Sequence, residues 1–412
     1  MARAHHSPSR GTVSVCVALA AALGVQSLQA TPARRPLRVD DLYRLRELAE
    51  PALSPDGAWV AYSVTTSERD GDENQSDIFL TPTAGGDAVQ ATSDPKSSDW
   101  LPRFSPDGRW LAFLSDRGGA KTQVWRLDRR GGEPARLTAL PGGVSDFAWA
   151  PDSSRLVLVG RDPKPEDDPE QEATQEKGDE RPRPIVVDRL QFKVDGRGFL
   201  DDRRTHLYLF DLRSKSAVRL TSGRYDHSEP AFSPDGRAIA FTSNRTAEPD
   251  ANYDTDIFVV EAISGAVPRR VSLPSYGDSS PAWSPDGRWL AWVQGSEVKE
   301  SYYAMSHVAV APAAGGEPRA LTRELDRNVY ATRFAADGGS VLFYYEDHGN
   351  QPLGAVSLAG GVVEEVVGGE RHVSAFDVGA RGEVVVLESS VHQPAELSLV
   401  RDRELTRLTH AN

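Results

Sequence analysis

Cysteine is almost missing from this 412-residue chain: the only one is Cys16, inside the first thirty residues, so the rest of the sequence uses no disulfide. Gly-x-Ser-x-Gly, the strained turn that exposes a hydrolase serine, is absent too, and with it the expectation of a catalytic residue in these 412 positions. The histidines at 206, 227, 307, 348, 372, 392 and 410 never stand at His-x-x-x-His spacing, so no metal and no cofactor is expected. No apolar run is long enough to cross a bilayer. Positive charge is also short. The formal net charge is −13, and without residues 1–30, which hold two arginines and no acid, it becomes −15. Such a surface repels nucleic acid and anionic lipid, so neither is an expected partner, and the acidity reads as solubility.

The first thirty residues differ from the rest. Arg3 and Arg10 precede an uncharged apolar run over 13–25, followed by Ser27-Leu28-Gln29-Ala30. This is the plan of a secretory signal peptide with cleavage after Ala30, and it places the mature chain outside the cytoplasm, secreted or periplasmic.

What is abundant is a repeat. Ser-Pro-Asp-Gly occurs at 54–57, 105–108, 233–236 and 284–287, with weaker copies at 150–153 and 335–338 and a worn one at 379–382. The step is 51 residues from 54 to 105, from 233 to 284 and from 284 to 335. The gap from 150 to 233 holds one repeat plus an insertion of roughly 35 residues. Pro-Asp-Gly is turn chemistry, and alternating strands such as Trp110-Leu111-Ala112-Phe113-Leu114 follow it. A third strand, a Gly-Gly hairpin as at 131–132, and a fourth strand ending near Arg-Leu-Thr complete each unit. Four short strands repeated seven times predict an all-β, seven-bladed β-propeller of four-stranded antiparallel blades, running 51–409 as one domain.

Ahead of it, residues 31–50 are a lead-in. Leu42, Leu45 and Leu48 at helical spacing predict a short helix packed on the propeller or on something else. The insertion at 160–205 in blade 3 predicts a polar loop over 161–184 and then a hairpin over 185–199. Each blade is complete within its own segment, which predicts a ring closed by packing alone, with no strand crossing from the last blade to the first.

Antiparallel order puts the Ser-Pro-Asp-Gly and Gly-Gly turns on one face and the long loops on the other, and long polar loops on a rigid scaffold are where binding concentrates. On that face Arg245 is a candidate carboxylate contact, with pairing to local acids the ordinary alternative. Tyr302 and Tyr303 are candidate contacts for a peptide or partner, with packing on a neighbouring loop the alternative. The acids of 250–256 suggest calcium, but the segment lacks the glycine and terminal glutamate of a calcium loop.

The lead-in Asp40-Asp41-Leu42-Tyr43-Arg44-Leu45, the stretch Asp188-Arg189-Leu190-Gln191-Phe192-Lys193-Val194-Asp195-Gly196-Arg197-Gly198-Phe199-Leu200, and Pro230-Ala231-Phe232-Ser233-Pro234-Asp235-Gly236 with Phe241-Thr242-Ser243-Asn244-Arg245 resemble the propeller half of the prolyl oligopeptidase (S9) superfamily, in its acylaminoacyl-peptidase branch. TolB-like periplasmic propellers share the repeat. The resemblance implies a substrate-gating and docking propeller whose partner is an α/β-hydrolase domain carrying serine, aspartate and histidine. That domain is expected to be absent from this chain, leaving it inactive alone. The alternative is a freestanding periplasmic propeller that binds another protein or a peptide on the long-loop face.

Overall fold

The computed structural model describes residues 35–412 apart from 37, 70, 72, 120, 165–184, 188, 196–197, 275 and 301–302. Residues up to 41 and residues 42–412 are separate units. In the first, the Arg35 guanidinium forks onto the Asp41 carboxylate at 2.7 and 2.5 Å. The second is a ring of seven four-stranded antiparallel sheets, spanning 46–90, 99–136, 144–219, 227–270, 279–320, 329–367 and 372–407. The sequence places every blade, each beginning a few residues earlier than its repeat suggests.

The repeat residues build the blades by hydrogen bonding. In blade 2 the Ser105 hydroxyl donates to Asp107 at 2.5 Å and accepts the Trp110 amide at 2.9 Å, while the Gly108 amide donates to the Ser105 carbonyl at 2.8 Å. Asp107 in turn accepts the Arg109 amide at 3.0 Å. Gly108 sits at φ 70°, where a side chain is strained. Ser54, Ser233 and Ser284 repeat the arrangement. The serine is therefore as much a part of the turn as Pro-Asp-Gly.

The Arg-Leu-Thr endings have an equally local cause. Where the fourth strand leaves the sheet, the threonine hydroxyl replaces its backbone and accepts the third-strand amide: Thr138 from Val124, Thr221 from Leu207, Thr322 from Val308 and Thr409 from Leu397, all at 2.9–3.0 Å. The leucine before it is buried between blades, as Leu137, Leu220, Leu321 and Leu408.

Apolar residues gather in seven wedges, one per seam between neighbouring blades. The seam between the last and first blades is packed like the others. Leu48, Leu53, Val60, Tyr62 and Val64 meet Val385, Leu387, Leu397, Leu399 and Leu408. At roughly 1.5–3 kcal/mol per fully buried large side chain, such a wedge holds a seam without a shared strand.

Closure is nevertheless not by packing alone. The Asn412 side chain accepts the Arg46 amide at 2.8 Å and donates to the Arg46 carbonyl at 3.0 Å, as a paired strand would. Glu396, 3% exposed, holds that end in place by accepting the amides of Ala411 and Asn412 at 2.9 and 3.1 Å.

The lead-in departs from the expected helix. A six-residue 3-10 turn, Val39–Arg44, buries nothing and gives way to the strand Arg46–Leu53. Leu48 belongs to that strand and is buried in the seam, while Leu42 and Leu45 stay exposed. A two-turn helix is marginal in water, and pairing along the edge of blade 1 buries Leu48 more fully. The hairpin of the insertion is present as Lys193–Val194 against Gly198–Phe199, with the Phe192 and Phe199 rings 6.4 Å apart. The expected polar loop lies largely outside the described residues.

Candidate functional site

Within each sheet the strands follow chain order, so the loops after the second strand and the blade connections share one face, opposite the Ser-Pro-Asp-Gly turns. Two features stand out: the central channel, whose lining reaches Pro234 and Pro285 of the Ser-Pro-Asp-Gly turns, and a cleft on blade 4 at the long-loop face.

The channel is lined by the first strand of every blade, and those strands are bulged. Glu50, Leu101, Glu229, Ser280 and Ala331, at matching repeat positions, have φ between 53 and 58°. A proline follows each of the first four. These strands present one edge to the channel, so the amide that proline lacks has no ladder partner to lose. The bulges turn side chains across the seams. The Glu50 carboxylate accepts the Leu101 amide of the next blade at 2.5 Å, Glu229 accepts the Ser280 amide at 2.8 Å, and Asp377 accepts the Leu53 amide at 2.8 Å, spanning the last seam. Trp149 and Trp283 donate back to the Arg103 and Ala231 carbonyls at 3.1 and 3.0 Å. The space enclosed is about 730 Å³. Arg103 pairs with Asp146 at 3.0 Å, and burial in the ring pushes the Asp377 carboxyl above its ordinary range even though Leu53 donates to it. The channel acids thus stitch neighbouring blades together.

The blade 4 cleft holds Arg245. Its guanidinium lies 4.6 Å from the Phe258 ring centroid, 5.5 Å from Phe241 and 5.6 Å from Tyr225. Its Nη2 donates to His227 Nε2 at 2.9 Å. His227 Nδ1 faces the Thr205 carbonyl at 2.8 Å, so Nδ1 carries the proton and Nε2 accepts. Burial, with the Arg245 charge and His206 beside it, pulls the His227 pKa down to about 3, and burial lowers that of Arg245 as well. His206 is fully buried 5.2 Å from the His227 ring and is lowered by the same cause. No carboxylate among the described residues lies within ion-pair distance of Arg245. The pairing with a local acid, expected as the ordinary reading, is replaced by a histidine and three aromatic faces.

Counting from the turn serines shows why. Six residues before the serine and twelve after it, blade 2 has Asp99 and Arg117, blade 4 has His227 and Arg245, and blade 5 has Asp278 and Ser296. In blade 2 the two form a bidentate ion pair at 3.1 and 2.5 Å, with Asp99 fully buried and Arg117 over Trp125. Blade 4 keeps the cation and loses the acid. Blade 5 keeps the acid and loses the cation. Asp278 is 1% exposed, neither oxygen makes a hydrogen bond of good geometry, and burial, with Asp256 nearby, pushes its pKa up to about 8 against the opposing pull of Ser272 and the Gly295 amide.

The other sequence candidates separate. Tyr303 is 91% exposed in the blade 5 loop, whereas Tyr302 and Ala30 lie outside the described residues. The acids of 250–256 do not converge on one point. Asp250 pairs with Arg189 of the insertion at 2.5 Å and accepts the Gln191 amide, while Asp256 faces Ser272 and Arg270. Among the described residues no group of three metal-ligating side chains is assembled, and no helix is long and apolar enough to cross a membrane. The channel acids and His227 were missed from sequence. Aligning the blades on their serines sets His227 and Asp278 beside Asp99 and sets Arg245 beside Arg117, although only blade 2 carries both the aspartate and the arginine.

Residues 199–374 match the family described as the TolB beta propeller domain, PD40. An uncharacterized peptidase of Bacillus subtilis, YuxL, is 33% identical over 228 residues, 55% of this chain and 34% of its own length. Dipeptidyl-peptidase 5 of Porphyromonas gingivalis is 24% identical over 360 residues, 81% of this chain and 50% of its own. The chain thus spans a third to a half of the curated relatives it matches. Among solved structures, acylaminoacyl peptidase of Pyrococcus horikoshii superposes with a TM-score of 0.71 at 20% identity, over 90% of this chain and 53% of that one. The propeller domain of the trilobed protease of Pyrococcus furiosus, described as having an open velcro topology, gives 0.63 at 18% identity over 89% and 99%. Residues 199–374 thus match the TolB-type propeller family, the ring has seven blades in all, and its fold is that of the propeller domains in these peptidase structures.

Proposed function

We propose that this chain is the substrate-gating and docking propeller of a secreted or periplasmic S9-type serine peptidase, seated by its long-loop face on an α/β-hydrolase domain that cleaves short peptides. The observation that carries the reading is the 33% identity to a peptidase, on a ring whose fold matches acylaminoacyl peptidase over 90% of this chain. Apolar side chains on the long-loop face support it. Leu42 and Leu45 before blade 1, Tyr253 in blade 4, Tyr303 and Met305 in blade 5 and Val391 in blade 7 are all exposed, Val391 at 95%. Apolar side chains open to solvent suit a protein partner, and since Val267 and Val362 are as exposed on the opposite face, it is the long loops that favour this one. The channel and its stitched seams would then set the size of peptide that passes. Arg3, Arg10 and the apolar run after them support export.

Two measurements test this. The gene region beyond codon 412 is read for a serine hydrolase, and the purified chain is treated with a fluorophosphonate probe. We expect a hydrolase segment that the probe labels and that cleaves short peptides while sparing folded protein, and no labelling of residues 1–412 alone. A gene region with no hydrolase, or stoichiometric labelling of this chain, overturns the proposal.

A further inference from the structure

We propose that the blade 4 cleft around Arg245 is a binding site for a monocarboxylate, of the kind a short peptide presents at its C-terminus. The inference is independent of whether a hydrolase docks on the same face.

Blade 2 supplies the internal comparison. There the same backbone position carries Arg117, stacked over Trp125 and neutralised by the buried Asp99. Phe258 occupies the Trp125 position, since Phe241 pairs with Phe258 in register as Phe113 pairs with Trp125. Blade 4 therefore keeps the cation and its aromatic bed but has exchanged the counter-ion for His227. That imidazole has its Nδ1 proton committed to the Thr205 carbonyl and offers Arg245 only a neutral lone pair. The guanidinium Nε is buried and has no hydrogen-bond partner. A half-buried cation with no anion of its own is costly unless something supplies one.

Arg245 lines a cleft of about 400 Å³, with Thr246, Phe258 and Pro274 beside it. An aromatic ring and a proline next to a guanidinium suit a carboxylate on a short apolar stem, the Thr246 hydroxyl being already taken up by Asn244 and Asn252. Two further lining residues select the charge of the ligand. Arg270 is paired with Asp256 at 3.4 Å, leaving Arg245 as the cation without an acid, and Asp254 stands at the same wall. With two carboxylates present, a phosphate dianion meets more repulsion than a monocarboxylate does. His227 reports on occupancy, because its Nε2 shares Arg245 with any ligand.

The experiment titrates the purified chain with N-acetylglycylglycine and with its C-terminal amide, which differ only in the carboxylate. Saturation transfer to the acetyl methyl and the ¹⁵N imidazole shift of His227 are followed together. We expect the acid to bind about tenfold or more tightly than the amide and to move the His227 signal, which the amide leaves in place. R245M, which keeps the apolar stem in the aromatic bed, should lose that preference, and R245K should keep part of it. Equal binding of acid and amide by the wild-type chain, a silent His227, tighter binding of inorganic phosphate, or unchanged binding by R245M would each overturn the assignment. The acid-versus-amide comparison needs no variant, so the proposal stays open to refutation if R245M fails to fold.

Discussion

Replacing Asp278 by asparagine should stabilise the ring, by an amount set by pH. The carboxyl is 1% exposed, and burial outweighs the weak approach of Ser272 and the Gly295 amide, so the native state holds it protonated up to about pH 8, whereas the unfolded chain ionises it near 3.8. Between those values the unfolded state releases a proton that the folded state keeps. An acid whose folded pKa is raised therefore costs stability increasingly as pH climbs from about 4 to about 8, and the cost levels off above that. At roughly 1.4 kcal/mol per pH unit, the cost is about 1.5 kcal/mol at pH 5 and about 4 kcal/mol at pH 7, reduced if water reaches the site. Asparagine keeps the shape and removes the ionisation. Urea unfolding of both proteins at pH 4.5, 6, 7 and 8.5 should show the D278N advantage growing with pH to a plateau. A difference that does not vary with pH, or an asparagine variant less stable throughout, would refute the assignment of Asp278 as an uncompensated buried acid.

Other expectations follow from the same geometry. Ser105→Ala removes both a donor to Asp107 and an acceptor for the Trp110 amide, and should cost about 1–3 kcal/mol in chemical unfolding; combined with Ser284→Ala in a distant blade, the losses should add. Glu396→Gln leaves the amides of Ala411 and Asn412 sharing one acceptor, so hydrogen exchange should quicken in 46–49 and 409–412 before it quickens in blades 3–5. His227 takes up a proton near pH 6.5 when unfolded but only near pH 3 when folded, so stability should fall as pH drops between those values. His227→Gln should flatten that decline, and an acid limb identical to wild type would count against the buried neutral imidazole.

The ring was legible because its signals are local and repeated. A serine, an aspartate and a glycine at fixed spacing close one turn, and a threonine fourteen residues past its partner amide, as in Val124 and Thr138, or twelve in the last blade, closes a blade edge. The lead-in misled because Leu42, Leu45 and Leu48 fit a helical face, yet the decisive contact of Leu48 is with blade 7, more than three hundred residues away in sequence. The site was half legible. Arg245 could be singled out from its loop, but its environment depends on Tyr225, His227 and Phe258, which only the pairing of strands brings together. Glu50 and Glu229 share a Glu-Pro-Ala lead into Ser-Pro-Asp-Gly, but their reach across the seams, like that of Asp377 outside this motif, was not legible because only the closed ring brings the accepting amides beside them.

The account stands or falls on the face that docks. Hydrogen exchange of the propeller, alone and with the hydrolase proposed to dock on it, measures this directly. Protection is expected in the loops at 243–256, 294–307 and 390–393 and around Leu42 and Leu45, with the turns at 54–57, 105–108, 233–236 and 284–287 unchanged. Protection confined to those turns, or none on any face at saturating hydrolase, would contradict it.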